Sequence, residues 1–151
     1  MRRIDKEIKS RSEIDEIINK AEVCRLAFAK DNEPYLIPVS YGYDGNSIFV
    51  HTAKEGKKIE FLKSNDRVCF EFETDTKIVG HDTIGCKWTA SFKSVIGYGK
   101  MQKITDDTEA MNALNQIMIK YSGKKWDFTN NDLSRVYLWK IDIEEISGKK
   151  S

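Results

Sequence analysis

The chain of 151 residues is 40% hydrophobic and 11% aromatic, which suits one folded domain rather than a disordered segment. Charged residues reach 32%, yet 25 Lys and Arg against 24 Asp and Glu leave a formal charge of only +1. That balance excludes a chain-wide electrostatic pull toward nucleic acid or membrane, so any anion site must be local.

From the N-terminus, the pattern predicts an amphipathic helix with Ser12 as cap, Glu13, Asp15 and Glu16 near its positive end, and Ile14, Ile17, Ile18 and Ala21 at helical spacing. "VCRLAFAK", "EPYLIPVSYGY" and "SIFVHT" then read as strands, with "DGNS" as the turn before the third. "KKIEFLKSN" has room for a short helix ended by Asn65 and Asp66, and "RVCFEFE" reads as a buried strand. Thr74 to Lys87 carries glycines and polar residues and is expected as a long loop. "WTASFKSVIGYGKMQKI" is a long strand in which Gly97 and Gly99 imply a bulge or close backbone approach. Thr105 is the expected cap of a second amphipathic helix facing inward through Met111, Leu114, Ile117, Met118 and Tyr121, with Gly123 as its stop. "RVYLWKIDIEEI" is the last strand. The set is mainly β with peripheral helices, in hairpin order, and points to a small antiparallel barrel over residues 1–151 with no internal repeat.

No apolar run approaches membrane-spanning length, and "MRRIDKEIKSRSEIDEIINK" lacks the apolar centre of a secretory signal, so a cytoplasmic location is expected. Three cysteines, Cys24, Cys69 and Cys86, do not form a secreted disulfide framework and read as reduced thiols. Cys24 and Cys69 lie in apolar strand patterns and are expected to fill core space. Cys86, beside Lys87 and Trp88, is the one thiol with a reactive setting. His51, His81 and Cys86 lack the close ligand spacing of a zinc site, so no metal is expected.

"HTAKEGKK", His51 to Lys58, follows the apolar strand "SIFV" and opens a helix. Strand end, Gly56 and helix start together bring N–H donors and lysines to one corner, which suits a phosphate. The P-loop pattern is absent, and on local sequence alone a charged surface turn is the commoner use of such a run. The ordered series "RLAFA…EPYLIPVSYGYDGNSIFVHTAKEGKKIEFLKSNDRVCFEFE…CKWTASFKSVIGYGKMQKI…WKIDIEEISGK" resembles the 5-nitroimidazole-resistance (Nim-like) flavoproteins of the pyridoxamine 5′-phosphate oxidase-like superfamily.

That resemblance implies a six-stranded antiparallel split β-barrel that works as a homodimer with FMN held between subunits. It implies further that Pro38, Val39, Ser40 and Tyr41 of "IPVSY" run beside the flavin ring. His51, Thr52 and Ala53 would flank the cofactor chain, and Gly56, Lys57 and Lys58 would neighbour its phosphate. The superfamily's oxidases commonly carry Ser, Arg and Lys at those last three positions, and lysine lacks the bidentate fork of arginine. Phe92 falls where a partner subunit reaches the flavin and offers packing only. The implied activity is transfer of electrons from reduced nicotinamide or another donor to a small acceptor such as a nitroaromatic compound. His51 is the candidate proton donor, or else a strand-end histidine held by hydrogen bonds. Trp88, Phe92 and Tyr98 form a substrate wall, a core element or a dimer interface. Two other classes stand beside this reading: a flavin carrier or sensor without turnover, and a barrel binding single-stranded nucleic acid, which the balanced charge disfavours.

Overall fold

In the computed structural model, which describes residues 4–151, a short 3₁₀ turn and strand β1 (Glu7–Ile8) lead into helix α1 (Arg11–Lys20). The cap of α1 is Ser10 rather than Ser12: the Ser10 hydroxyl accepts from the Glu13 N–H at 3.4 Å, while Ser12 Oγ lies 2.8 Å from Ser10 Oγ. Ile14, Ile17 and Ile18 are buried as their spacing predicts, and so is Ala21 just beyond the helix.

Hairpins then follow one another. They comprise β2 (Cys24–Lys30), β3 (Glu33–Val39), β4 (Gly42–Tyr43), β5 (Ser47–Thr52), helix α2 (Lys57–Ser64), β6 (Arg67–Val79) and β7 (Thr89–Lys103). Helices α3 (Asp107–Ser122) and α4 (Asn130–Ser134) separate these from β8 (Tyr137–Lys150). All pairings are antiparallel, in the order β3-β2-β6-β7-β8-β5-β4, with β1 added to β8. The expected strands are all present in this split β-barrel. The count rises from six to eight because β1 and β4 are two-residue pairings, too short for any periodicity to show.

The expected loop from Thr74 to Lys87 is a second correction. The β6 strand continues to Val79: the ladder slips between Thr74 and Lys77, where Asp75 takes φ 58°, and resumes with Lys77 opposite Ser91 and Ile78 opposite Ala90. Residues 75–79 are exposed on both faces, so the alternation that marks a half-buried strand is missing there. The bulge expected at the β7 glycines is present between Tyr98 and Gly99. A Cβ on Gly97 would lie 2.3 Å from the Phe70 ring, and one on Gly99 would lie 2.2 Å from the Asp142 carbonyl oxygen.

The main core joins α1 and α2 to the barrel through Ile17, Ile18, Tyr41, Phe61, Phe70 and Phe72. A second cluster lies under α3 and includes Phe49, Ile104, Ile117, Leu133 and Leu138. The cap of α3 is Asp106, whose carboxylate accepts the Glu109 N–H at 2.8 Å; Thr105 lies one residue too early. Its most buried face is lined by Ala110, Ala113 and Ile117, whereas Met111, Leu114 and Met118 are half-buried and Tyr121 is exposed. Small side chains let the helix sit close to the sheet, which displaces the larger residues to the flanks. Gly123 ends the helix in the left-handed conformation at φ 74°.

Candidate functional site

Strand β5 leaves the core at its C-terminal end. Ile48, Phe49 and Val50 are buried; next, His51 turns outward and Thr52 inward, as strand alternation requires. Across the β5–β8 ladder, His51 faces Leu138 and Thr52 faces Tyr137. The Thr52 hydroxyl accepts from the Trp139 indole N–H at 2.9 Å, leaving its own O–H proton to donate elsewhere. Ala53 to Gly56 form an exposed corner, and Gly56, at φ 110°, is the residue from which α2 starts. No side chain caps this helix; the Ile59 and Glu60 N–H groups donate to the Gly56 carbonyl at 2.9 and 3.3 Å, which leaves the N–H groups of Lys57 and Lys58 open to an outside acceptor.

The two lysines of the corner behave differently. Lys57 pairs with Glu33 on β3 at 2.5 Å and lies over the rings of Tyr35 and Phe61, at 5.1 and 5.4 Å; its charge is already answered. Lys58 is half-buried and has no ion-pair partner among the described residues. Packing around the His51 ring, and secondly the Lys58 charge, push the imidazole below its ordinary pKa, so His51 is neutral at pH 7. The structure thus brings His51, Thr52, Gly56 and Lys58 to one corner and turns Lys57 toward Glu33.

The segment "IPVSY" divides as well. On the edge strand β3 Pro38 is exposed and Val39 half-buried, and Ser40 beyond it opens onto a cleft shared with Glu22, Lys120 and Tyr121. Tyr41 is fully buried: its hydroxyl donates to the carbonyls of Ala21, at 2.8 Å, and Ile18, and its N–H is taken by the Tyr121 hydroxyl at 3.2 Å. Tyr41 therefore holds the edge in place, and the part of the segment free to meet a ligand is Pro38 to Ser40. Lys120, which the sequence did not single out, donates to the Asn19 carbonyl at 2.8 Å and lies 4.5 Å over the Tyr41 ring.

Phe92 is half-buried on the outer face of β7, with Lys149 Nζ 5.7 Å from its ring centre and its backbone bonded to Ser151. Ile96 and Tyr98 share that face and are exposed, as is Trp88 just before the strand, so none of the three is core within the chain. His81 organises the β6–β7 connection: its Nδ1 accepts from the N–H groups of Thr83 and Ile84, and its carbonyl accepts from the Trp88 indole. Cys24 is buried, Cys69 half-buried and Cys86 exposed, and all are free thiols. Among the described residues no three His, Cys, Asp or Glu side chains converge in a way that could hold a metal ion.

An open helix N-terminus, a donating hydroxyl and an unpaired lysine fit a phosphate. A nearby edge strand with exposed Pro38 and half-buried Val39 fits a flat, mostly apolar ring. Strand order, hairpin connections and this basic strand-to-helix corner define a split β-barrel protein. The sequence pattern of the pyridoxamine 5′-phosphate oxidase family matches residues 10–150, and the chain belongs to that family.

Among solved structures, the chain is similar to a candidate 5-nitroimidazole antibiotic resistance protein of Bacteroides thetaiotaomicron VPI-5482. The identity is 28%, the TM-score 0.85, and the match covers 95% of this chain and 86% of that one. It also shares its fold with the FAD and heme binding protein of Mycobacterium smegmatis, at 17% identity and TM-score 0.83, over 97% of this chain and 73% of that one. An uncharacterised protein of Rhizobium meliloti (strain 1021) is 30% identical over 64 residues, a stretch covering 42% of each chain.

Proposed function

We propose that the protein is an FMN-dependent oxidoreductase that takes electrons from reduced nicotinamide and passes them to a small acceptor such as a nitroaromatic compound. It acts in the cytoplasm as a homodimer with the flavin between subunits. The observation that carries this reading is the uncapped start of α2 beside Thr52 and Lys58. The FMN phosphate answers the open N–H groups, accepts the Thr52 proton and pairs with Lys58. The likeness to the Bacteroides thetaiotaomicron protein supports the choice of acceptor.

When bound, the flavin supplies the redox chemistry. The chain's own residues position and protonate. Pro38, Val39 and Ser40 border the ring, and Ala53 and Gly56 keep the corner free of bulky side chains. His51 holds a neutral imidazole at pH 7, with one ring nitrogen donating and the other accepting, and it gains a second proton only below its lowered pKa. Phe92 and its neighbours on β7 exclude water from the partner's flavin.

Flavin titration of two variants tests the phosphate role. Lys58→Ala should weaken FMN about tenfold and leave riboflavin unchanged, since one charge-assisted contact to a phosphate is lost. Lys57→Ala should act less, because Glu33 already holds that ammonium. Equal losses for FMN and riboflavin would remove the phosphate from this corner. Anaerobic turnover with a nitroimidazole separates an enzyme from a carrier: repeated turnover is expected, and a single stoichiometric reduction would favour the carrier.

A further inference from the structure

The outer end of the β6–β7 hairpin stands clear of the core. Beyond the slip between Thr74 and Lys77 the strand is exposed on both faces, and among the described residues no hydrogen bond or ion pair joins residues 77–88 to anything beyond this hairpin. Apolar burial therefore supplies little of this arm's order, and a two-stranded hairpin without it is marginal in water. What holds the arm is its tip.

There the His81 ring nitrogen Nδ1 accepts two main-chain N–H groups, from Thr83 at 3.3 Å and Ile84 at 3.2 Å. The His81 carbonyl accepts the Trp88 indole N–H at 2.9 Å, and the indole lies across Gly80, where a Cβ would be 3.1 Å from it. The short 3₁₀ turn Gly85–Lys87 closes the loop between these contacts. One residue thus ties both sides of the turn, and its ring can do so only with a lone pair on Nδ1. The neutral imidazole has one when its proton sits on Nε2; the imidazolium has none and donates from both nitrogens. A second proton therefore removes two hydrogen bonds and leaves three N–H groups facing one another.

We propose that His81 is a pH-sensitive latch: while its ring is neutral the β6–β7 arm is closed, and a second proton on the ring releases the arm with the barrel still folded. Closure uses the neutral form alone, so it is present at higher pH and lost as pH falls. The charged groups of the arm are Lys77, Asp82 and Lys87, and among the described residues none of them is ion-paired. Strand alternation places Ile78, opposite Ala90, on the outer face that carries Ile96 and Tyr98. The closed arm thus extends the apolar face offered to a second copy. That consequence rests on the proposed homodimer, whereas the latch itself does not.

NMR spectra of the amide and indole N–H groups of the whole chain, recorded from about pH 8 to about pH 5, follow the latch. The Thr83 and Ile84 amides and the Trp88 indole are expected to lose their hydrogen-bonded shifts in step with protonation of the His81 ring. The Trp139 indole, bonded to Thr52 inside the barrel, should stay in place. His81→Asn is the control: its side-chain oxygen accepts N–H groups two and three residues on without titrating, so this variant should stay closed throughout. Arm signals that do not move as His81 takes its proton would overturn the latch. So would a Trp139 indole that moves with them, since that is unfolding of the whole domain. For the dimer, sedimentation at the two ends of the range should show association about tenfold weaker in acid, the scale of one lost apolar anchor, and unchanged in His81→Asn. Equal weakening of both proteins would remove the arm from the interface.

Discussion

His51 and Lys58 are linked through charge. The ring is pushed below its ordinary pKa first by the protein packed around it and then by the Lys58 ammonium. Replacing Lys58 with Met removes the second cause alone, so the His51 pKa should rise toward, without reaching, its unperturbed value; an NMR titration of the imidazole measures this. If protonated His51 delivers a proton to the acceptor, activity rises as pH falls through the lowered pKa. That acidic limb should shift to higher pH in Lys58→Met, and a limb that stays put would exclude His51 as the donor. Thr52 makes a second residue-scale test. Its hydroxyl is the acceptor for the Trp139 indole, in a buried setting. Thr52→Val leaves that N–H unanswered and should cost about 1–3 kcal/mol in denaturant unfolding, while Thr52→Ser should recover most of it.

Among the elements, β7 carries the closest backbone approach. With the Asp142 carbonyl oxygen 2.2 Å from where a Cβ would sit, Gly99→Ala must distort the β7–β8 ladder and should destabilise by about 1–3 kcal/mol. Gly85→Ala, with nothing within 4 Å, should change the unfolding midpoint little. The strands readable from sequence were those with at least one face against a core: "RVCFEFE" buries one face and "SIFV" both. The end of β6 was not readable because both of its faces are exposed. Helix starts were displaced by one or two residues where two competent caps lie within two positions of each other, Ser10 and Ser12, or Thr105 and Asp106. The candidate site divides in the same way. His51, Thr52, Gly56 and Lys58 are neighbours along the chain and could be read directly. The partners Trp139 and Tyr137 come from another strand, and only the ladder register brings them to Thr52. The ion pair that occupies Lys57 depends on β3 passing beside α2, which no local pattern encodes.

At the scale of the whole molecule, the sheet presents an outer face on which Leu36, Ile96 and Tyr98 are 61%, 42% and 40% exposed. An apolar face of this kind suits a second copy of the chain, and the proposed dimer would cover it. Sedimentation should show a dimer, and Ile96→Lys with Tyr98→Lys should yield a folded monomer with much weakened flavin affinity. A double variant that stays dimeric would place the interface elsewhere. The central claim, that this barrel is a flavoprotein, is tested most directly by titrating FMN into the flavin-free protein and recording the visible absorbance spectrum. The account predicts saturable spectral perturbation at one FMN per chain. A spectrum that remains that of free FMN at every protein concentration would contradict it.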